Sequence, residues 1–149
     1  MMKNKQLTIG WKEWGALPDL GIDHIHIKTD TGAKTSAIHT VAYKLYEKDN
    51  EEWVHFMVAP IQDDDDTQVE CHLPVKDKRT VTNSGGSKSH RIVVETSLHI
   101  GDQTRLIELT LACRKKMKFR MLLGRQAMRD MMVKPDQAHL IKQTKPKNL

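Results

Sequence analysis

A long succession of β-rich runs punctuated by turn chemistry constrains this chain more than any other feature. Alternating or β-branched stretches fill 7–14, 22–29, 38–47, 52–60, 67–75, 78–82, 90–100, 103–113 and 119–123, the period-two pattern of strands. Between them stand Pro18-Asp19 with Gly21, Asp49-Asn50, the acidic run Asp63 to Asp66, Asn83 to Gly86, and Gly101-Asp102, all residues that turns favour. The Gly101-Asp102 pair predicts a tight hairpin. One helix is expected, from Arg125 to Met132, with Met128, Met131 and Met132 at helical spacing and Pro135 as its stop. The expected class is all-β: a closed β-barrel with one short C-terminal helix.

Asp30-Thr31-Gly32-Ala33 closes the apolar pattern of Ile22, Ile25 and Ile27 and puts a carboxylate on a tight turn. An Asp held at a strand end by a Thr hydroxyl and a Gly amide is the half-site of an aspartic peptidase. Two such carboxylates close together cannot both ionise, so one takes a proton from water while the other donates to a carbonyl oxygen. Asp19, Asp23, Asp102 and Asp136 all lack a following Thr-Gly. A dyad would therefore require a homodimer, with Asp30 of each chain on the two-fold axis. The terminal piece Ala138-His139-Leu140-Ile141 is the most strand-like candidate for that interface.

Ninety residues on, Met121-Leu122-Leu123-Gly124-Arg125 runs an apolar strand into Gly. The pairing of these two elements in this order resembles the retropepsins, the retroviral-type aspartic peptidases. The runs Ile9-Gly10-Trp11-Lys12-Glu13-Trp14-Gly15, Lys28 to Ala37 and Leu122 to Arg125 are similar to a bacterial retropepsin-like domain often filed as "ATP-dependent zinc protease". The likeness covers residues 7 to 142, so residues 1–149 are expected to form a single domain with a basic tail at 143–149.

The resemblance implies a retropepsin-type barrel and endopeptidase activity, with Asp30, Thr31 and Gly32 catalytic. An idle peptide-binding dimer and a zinc-dependent peptidase are the alternatives. It also implies a functional link to an ATP-grasp glutamate ligase. Gly124 and Arg125 would buttress the catalytic loop. Retropepsins usually pair this Arg with an acid four residues after the Asp, where this chain has Lys34, so backbone carbonyls or Asp130 become its expected partners. A flap is expected in the hairpin from Arg79 to Arg91, with Asn83, Ser84, Gly85 and Gly86 at its tip and Ala33 on the site wall. Its basic flanks suit an acidic or polar peptide.

Zinc and ATP find no motif. His24 and His26 share one strand face and read as solvated. Cys71-His72 is another candidate pair, but no His-Glu-x-x-His helix or Cys-x-x-Cys spacing accompanies either. There is no Gly-x-x-x-x-Gly-Lys loop for nucleotide phosphates and no Gly-x-Ser-x-Gly elbow for a serine nucleophile. No metal site and no cofactor are expected.

Composition bounds the rest. With 149 residues, 38% hydrophobic and 29% charged, the chain has the balance of a globular domain. No run approaches the ~18 apolar residues of a membrane span, and no secretory pattern follows Lys3 and Lys5. Cys71 and Cys113 suit a reducing, cytoplasmic setting as small buried hydrophobes. The net charge of +5 gathers at Arg114-Lys115-Lys116, Lys118 and Arg120, and at Lys142, Lys145 and Lys147. Seven aromatic residues are too few to make these clusters a stacking platform for nucleic acid. The Asp63 to Asp66 run reads as a loop tip between strands.

Overall fold

The computed structural model describes residues 6–82, 85–112 and 118–141. In chain order the strands are β1 (Leu7–Gly10), β2 (Lys12–Leu17), β3 (Ile22–Thr29), β4 (Ser36–Lys48), β5 (Glu51–Val58), β6 (Val69–Pro74), β7 (Asp77–Thr82), β8 (Lys88–Ile100), β9 (Gln103–Ala112), β10 (Met121–Leu123) and β11 (Met131–Lys134), with a 3₁₀ turn at Pro18–Leu20. The protein is all-β, as the periodicity indicates. The hairpin turns behave as their residues dictate. Asp49 and Asn50 both take left-handed backbone angles, φ 54° and 64°, so Lys48 pairs with Glu51. This is the two-residue loop whose twist matches that of its flanking strands. Gly101 and Asp102 likewise join Ile100 to Gln103.

The main sheet runs β10-β3-β2-β8-β9-β4-β5-β6, with β7 paired to β8 off this path. β10 also pairs with β4, so the hydrogen-bonded path from β10 through β3, β2, β8, β9 and β4 returns to its start. β5 and β6 extend beyond it, and β1 pairs with β11 as a separate parallel two-stranded sheet. Inside lie Ile9, Leu17, Ile25, Ile27, Phe56, Leu98, Ile107, Leu109 and Met121, all fully buried. Each contributes about 1.5–3 kcal/mol by leaving water.

The expected helix from Arg125 to Met132 is not there. Among the described residues no α-helix occurs. The segment manages one turn, the Met128 N–H donating to the carbonyls of Gly124 and Arg125 at 3.2 and 3.1 Å. Asp130 then adopts φ 64°, which a right-handed helix cannot continue, and Met131 enters β11 opposite Leu7.

Candidate functional site

The Asp30 loop is built from both sides. β3 delivers Thr29, whose amide and hydroxyl donate to the Trp11 carbonyl at 2.9 and 3.1 Å. The Asp30 amide donates to the Leu123 carbonyl of β10 at 2.8 Å, and the Ala33 amide turns back onto the Asp30 carbonyl at 3.2 Å. The Gly32 N–H donates to Asp30 Oδ1 at 3.1 Å, an Asx-type turn that orients the carboxylate. Thr31 and Gly32 are exposed and Asp30 half-buried.

Residues 124–126 clamp the far side. The Arg125 and Gln126 amides donate to the carbonyls of Ala33 and Lys34 at 2.8 and 2.9 Å. The Gly124 amide donates to the buried Ser36 Oγ at 3.0 Å. A Cβ on Gly124 would stand 2.6 Å from the Thr35 carbonyl carbon, so only glycine allows this approach. The Arg125 guanidinium donates to the Thr31 carbonyl at 3.0 Å. It thus reaches a backbone carbonyl on the loop, and Lys34 points to solvent.

A cleft of about 130 Å³ opens beside the loop, with Asp30, Ala33, Thr35, Ala37, Arg91 and Leu122 among its lining residues. Arg91 comes from the β7–β8 hairpin, directly across from Arg79. Arg79 donates to Thr35 Oγ1 at 3.2 Å and to Glu108 Oε1 at 3.2 Å, tying the hairpin stem to the loop. The Arg79 Nε also donates to Asp77 Oδ2 at 2.8 Å, so Arg79 is held within the stem. Arg91 is the guanidinium that shares the cleft with Asp30, a group suited to binding an acidic side chain. Arg91 lay within the expected flap, but nothing in the sequence marked it as a residue that lines the Asp30 cleft. At the hairpin tip Gly85 and Gly86 are exposed, Gly86 at φ 85°. Asn83 and Ser84 lie outside the described residues.

Other sequence expectations are relocated by the fold. His26 is not on a solvated face: it is buried, stacked on Trp14 with ring centroids 4.3 Å apart. Its Nδ1 lies 3.0 Å from Gln62 Oε1 and its Nε2 2.9 Å from His139 Nε2. Burial lowers its pKa, with the Gln62 hydrogen bond opposing. His24 is half-exposed. Phe119, inside the basic cluster, packs against Trp11 and His26. Lys118 is exposed and Arg120 is buried in an ion pair with Asp65 at 2.8 Å; Arg114 to Lys116 and the cationic tail lie outside the described residues.

The Ala138–Ile141 piece is not a strand. It lies along the same chain, the His139 amide donating to the Lys12 carbonyl. Cys71 is buried, its thiol pushed up to about 11 by burial and then by the charge of Glu70; Cys113 is outside the described residues. Its neighbours Glu70 and His72 face the other way and meet His55, their ligating atoms all within 4.8 Å of one another. The sequence considered His72 only with Cys71; the strand alternation that separates them was the available signal.

Comparison with known proteins places this architecture. A crystal structure of Lpg0085, a protein of unknown function (DUF785) from Legionella pneumophila, superposes with a TM-score of 0.75 at 26% identity, over 91% of this chain and 98% of that one. A protein of Desulfotalea psychrophila named "Probable alpha-L-glutamate ligase" is 47% identical over 84% of this chain. A protein of the same name from Parasynechococcus marenigrum is 36% identical over 91%. The chain spans only 27% and 29% of the lengths of these two relatives.

Their names overturn the expected assignment of this chain as an aspartic endopeptidase acting through an Asp dyad: the curated relatives are named for ligation, not hydrolysis. The name "ATP-dependent zinc protease" is not carried by the family that matches either. That family's model, described as "Retropepsin-like aspartic endopeptidase RimB", matches residues 8–144, and the chain belongs to this RimB-like family.

Proposed function

We propose that this chain is the peptide-holding module of a glutamate-ligation system, presenting an acidic, glutamate-bearing chain to an α-L-glutamate ligase. The observation that carries the reading is the naming of its relatives. Sequences 36–47% identical to nearly all of this chain occupy just over a quarter of proteins named as glutamate ligases. The bond-forming chemistry is assigned in this reading to the remaining three quarters of such proteins or to a separate ligase.

The Asp30 cleft supplies what a holding module needs. Arg91 offers a forked donor to a carboxylate side chain, while Arg79, tied to Thr35 and Glu108, holds the hairpin stem against the exposed Thr31-Gly32 loop. Asp30 then orients the loop and excludes a second anion from its own side, giving the cleft polarity. In the same reading the strand path that returns through β10 is a retropepsin-type barrel and residues 1–149 form one domain.

Isothermal titration of the purified chain with a short peptide ending in glutamates tests this. Binding is expected to weaken at least ten-fold in Arg91→Ala and to fall as salt rises. Addition of the chain to an α-L-glutamate ligase should change its rate of glutamate addition. Absence of peptide binding together with an unchanged ligase rate would overturn the proposal.

A further inference from the structure

β5 and β6 form the outer end of the main sheet and carry a second constellation, remote in strand order from the Asp30 loop. Their antiparallel register sets His55 directly opposite His72. Glu70 lies two residues before His72, so strand alternation puts it on the same face. The other face of these strands is core: Val54, Phe56, Val58 and Cys71 are buried. The three polar side chains are thus fixed to the solvent side of a rigid strand pair.

Their geometry converges. Glu70 Oε2 lies 3.1 Å from His55 Nε2 and Glu70 Oε1 lies 3.8 Å from His72 Nε2. The two imidazoles stack with centroids 4.5 Å apart. Donors bound to one zinc at about 2.0–2.1 Å stand roughly 3.3 Å from each other in a tetrahedron, so small side-chain rotations bring all three onto one ion. His72 Nδ1 is 3.0 Å from Tyr46 Oη, on β4. When Nδ1–H donates to that oxygen, the lone pair of Nε2 is left facing Glu70. Such an outer hydrogen bond fixes tautomer and ring orientation in metal sites.

We infer that His55, Glu70 and His72 form a binding site for a divalent transition metal, zinc foremost. Two imidazoles and one carboxylate suit zinc, and three protein donors leave a fourth position for water or an incoming carboxylate. The site stands independently of the glutamate-ligation reading, because it shares no residue with the Asp30 cleft. Sequence spacing hides it: the ligands come from two strands and no short motif contains them.

The full chain, first stripped with chelator, is titrated with Zn²⁺ calorimetrically, and the Co²⁺ form is examined by visible absorption. One ion per chain is expected. Affinity should fall at least ten-fold in each of His55→Gln, Glu70→Gln and His72→Gln, remain unchanged in His99→Gln on β8, and fall less in Tyr46→Phe. Zinc should raise the melting temperature of the wild-type chain and not of His55→Gln, while all variants match the wild-type melting temperature in chelator, since the three side chains lie on the solvent face. Wild-type zinc affinity in His55→Gln and His72→Gln, or an equal loss in His99→Gln, would overturn the site.

Discussion

Glu13 shows how one residue can govern a fold's closure. Its carboxylate is 1% exposed, yet it accepts three backbone N–H bonds, from Gly10 at 2.7 Å, Leu140 at 2.8 Å and Ile141 at 3.2 Å. Removing the carboxylate takes the acceptor from all three amides, and that of Gly10 is buried. Glu13→Ala is therefore expected to cost about 3 kcal/mol, with Glu13→Gln milder, in urea denaturation. His26 and His39 make a second prediction. Burial is the first cause lowering both, joined at His39 by the Arg120 charge. Each stays neutral in the fold and takes up its proton more readily when unfolded. Their stabilisation is complete above the unfolded value of 6.5. It is lost progressively as pH falls below that value towards the lowered folded pKa. A His26→Gln variant should show a shallower fall in stability between neutral and mildly acid pH.

Elements were legible where their information was local. The β-rich runs became strands within a few residues, except that 7–14 divides at Trp11 into β1 and β2, which join different sheets. Burial on one face imposes period two, and the Asp49-Asn50 and Gly101-Asp102 turns fix register. The last stretch misled because Met128, Met131 and Met132 imitate a helical stripe. What decides there is distant, namely pairing of Met131–Lys134 with Leu7–Gly10 and the left-handed Asp130. The Asp30 motif and its Gly124-Arg125 counterpart were visible as residue strings. Arg91 and the His55–Glu70–His72 group were not, since only strand register brings them together. The clamp itself is testable: Gly124→Ala forces its new methyl against Thr35 backbone, which cannot rotate away. It should destabilise the chain by about 2 kcal/mol or more and shift the amide resonances of Asp30 to Ala33 more than those of the β8–β9 hairpin.

At the scale of the whole molecule, the two ends of the described chain hold each other. β1 pairs with β11, the Trp11 amide donates to the Gln137 carbonyl, and Glu13 gathers Leu140 and Ile141. A Cβ on Gly10 would collide with that Gln137 oxygen, so the closing segment rests directly on backbone. A chain ending at Arg120 loses β10, β11 and this closure together. Hydrogen exchange on it should show amides of Asp30 to Ser36 losing the protection they have in the longer chain, and its unfolding should no longer be a single cooperative transition.

The Arg125 contact to Thr31 spans 94 residues of sequence, and that separation has a consequence in time. Chains emerge from the ribosome at about 5–20 residues per second, so the Asp30 loop waits roughly 5–20 s before its clamp is synthesised. During that interval β3 has neither β10 beside it nor the Leu123 carbonyl to receive the Asp30 amide. Whatever the cleft recognises, a nascent chain cannot hold it until residues 123–125 have cleared the exit tunnel.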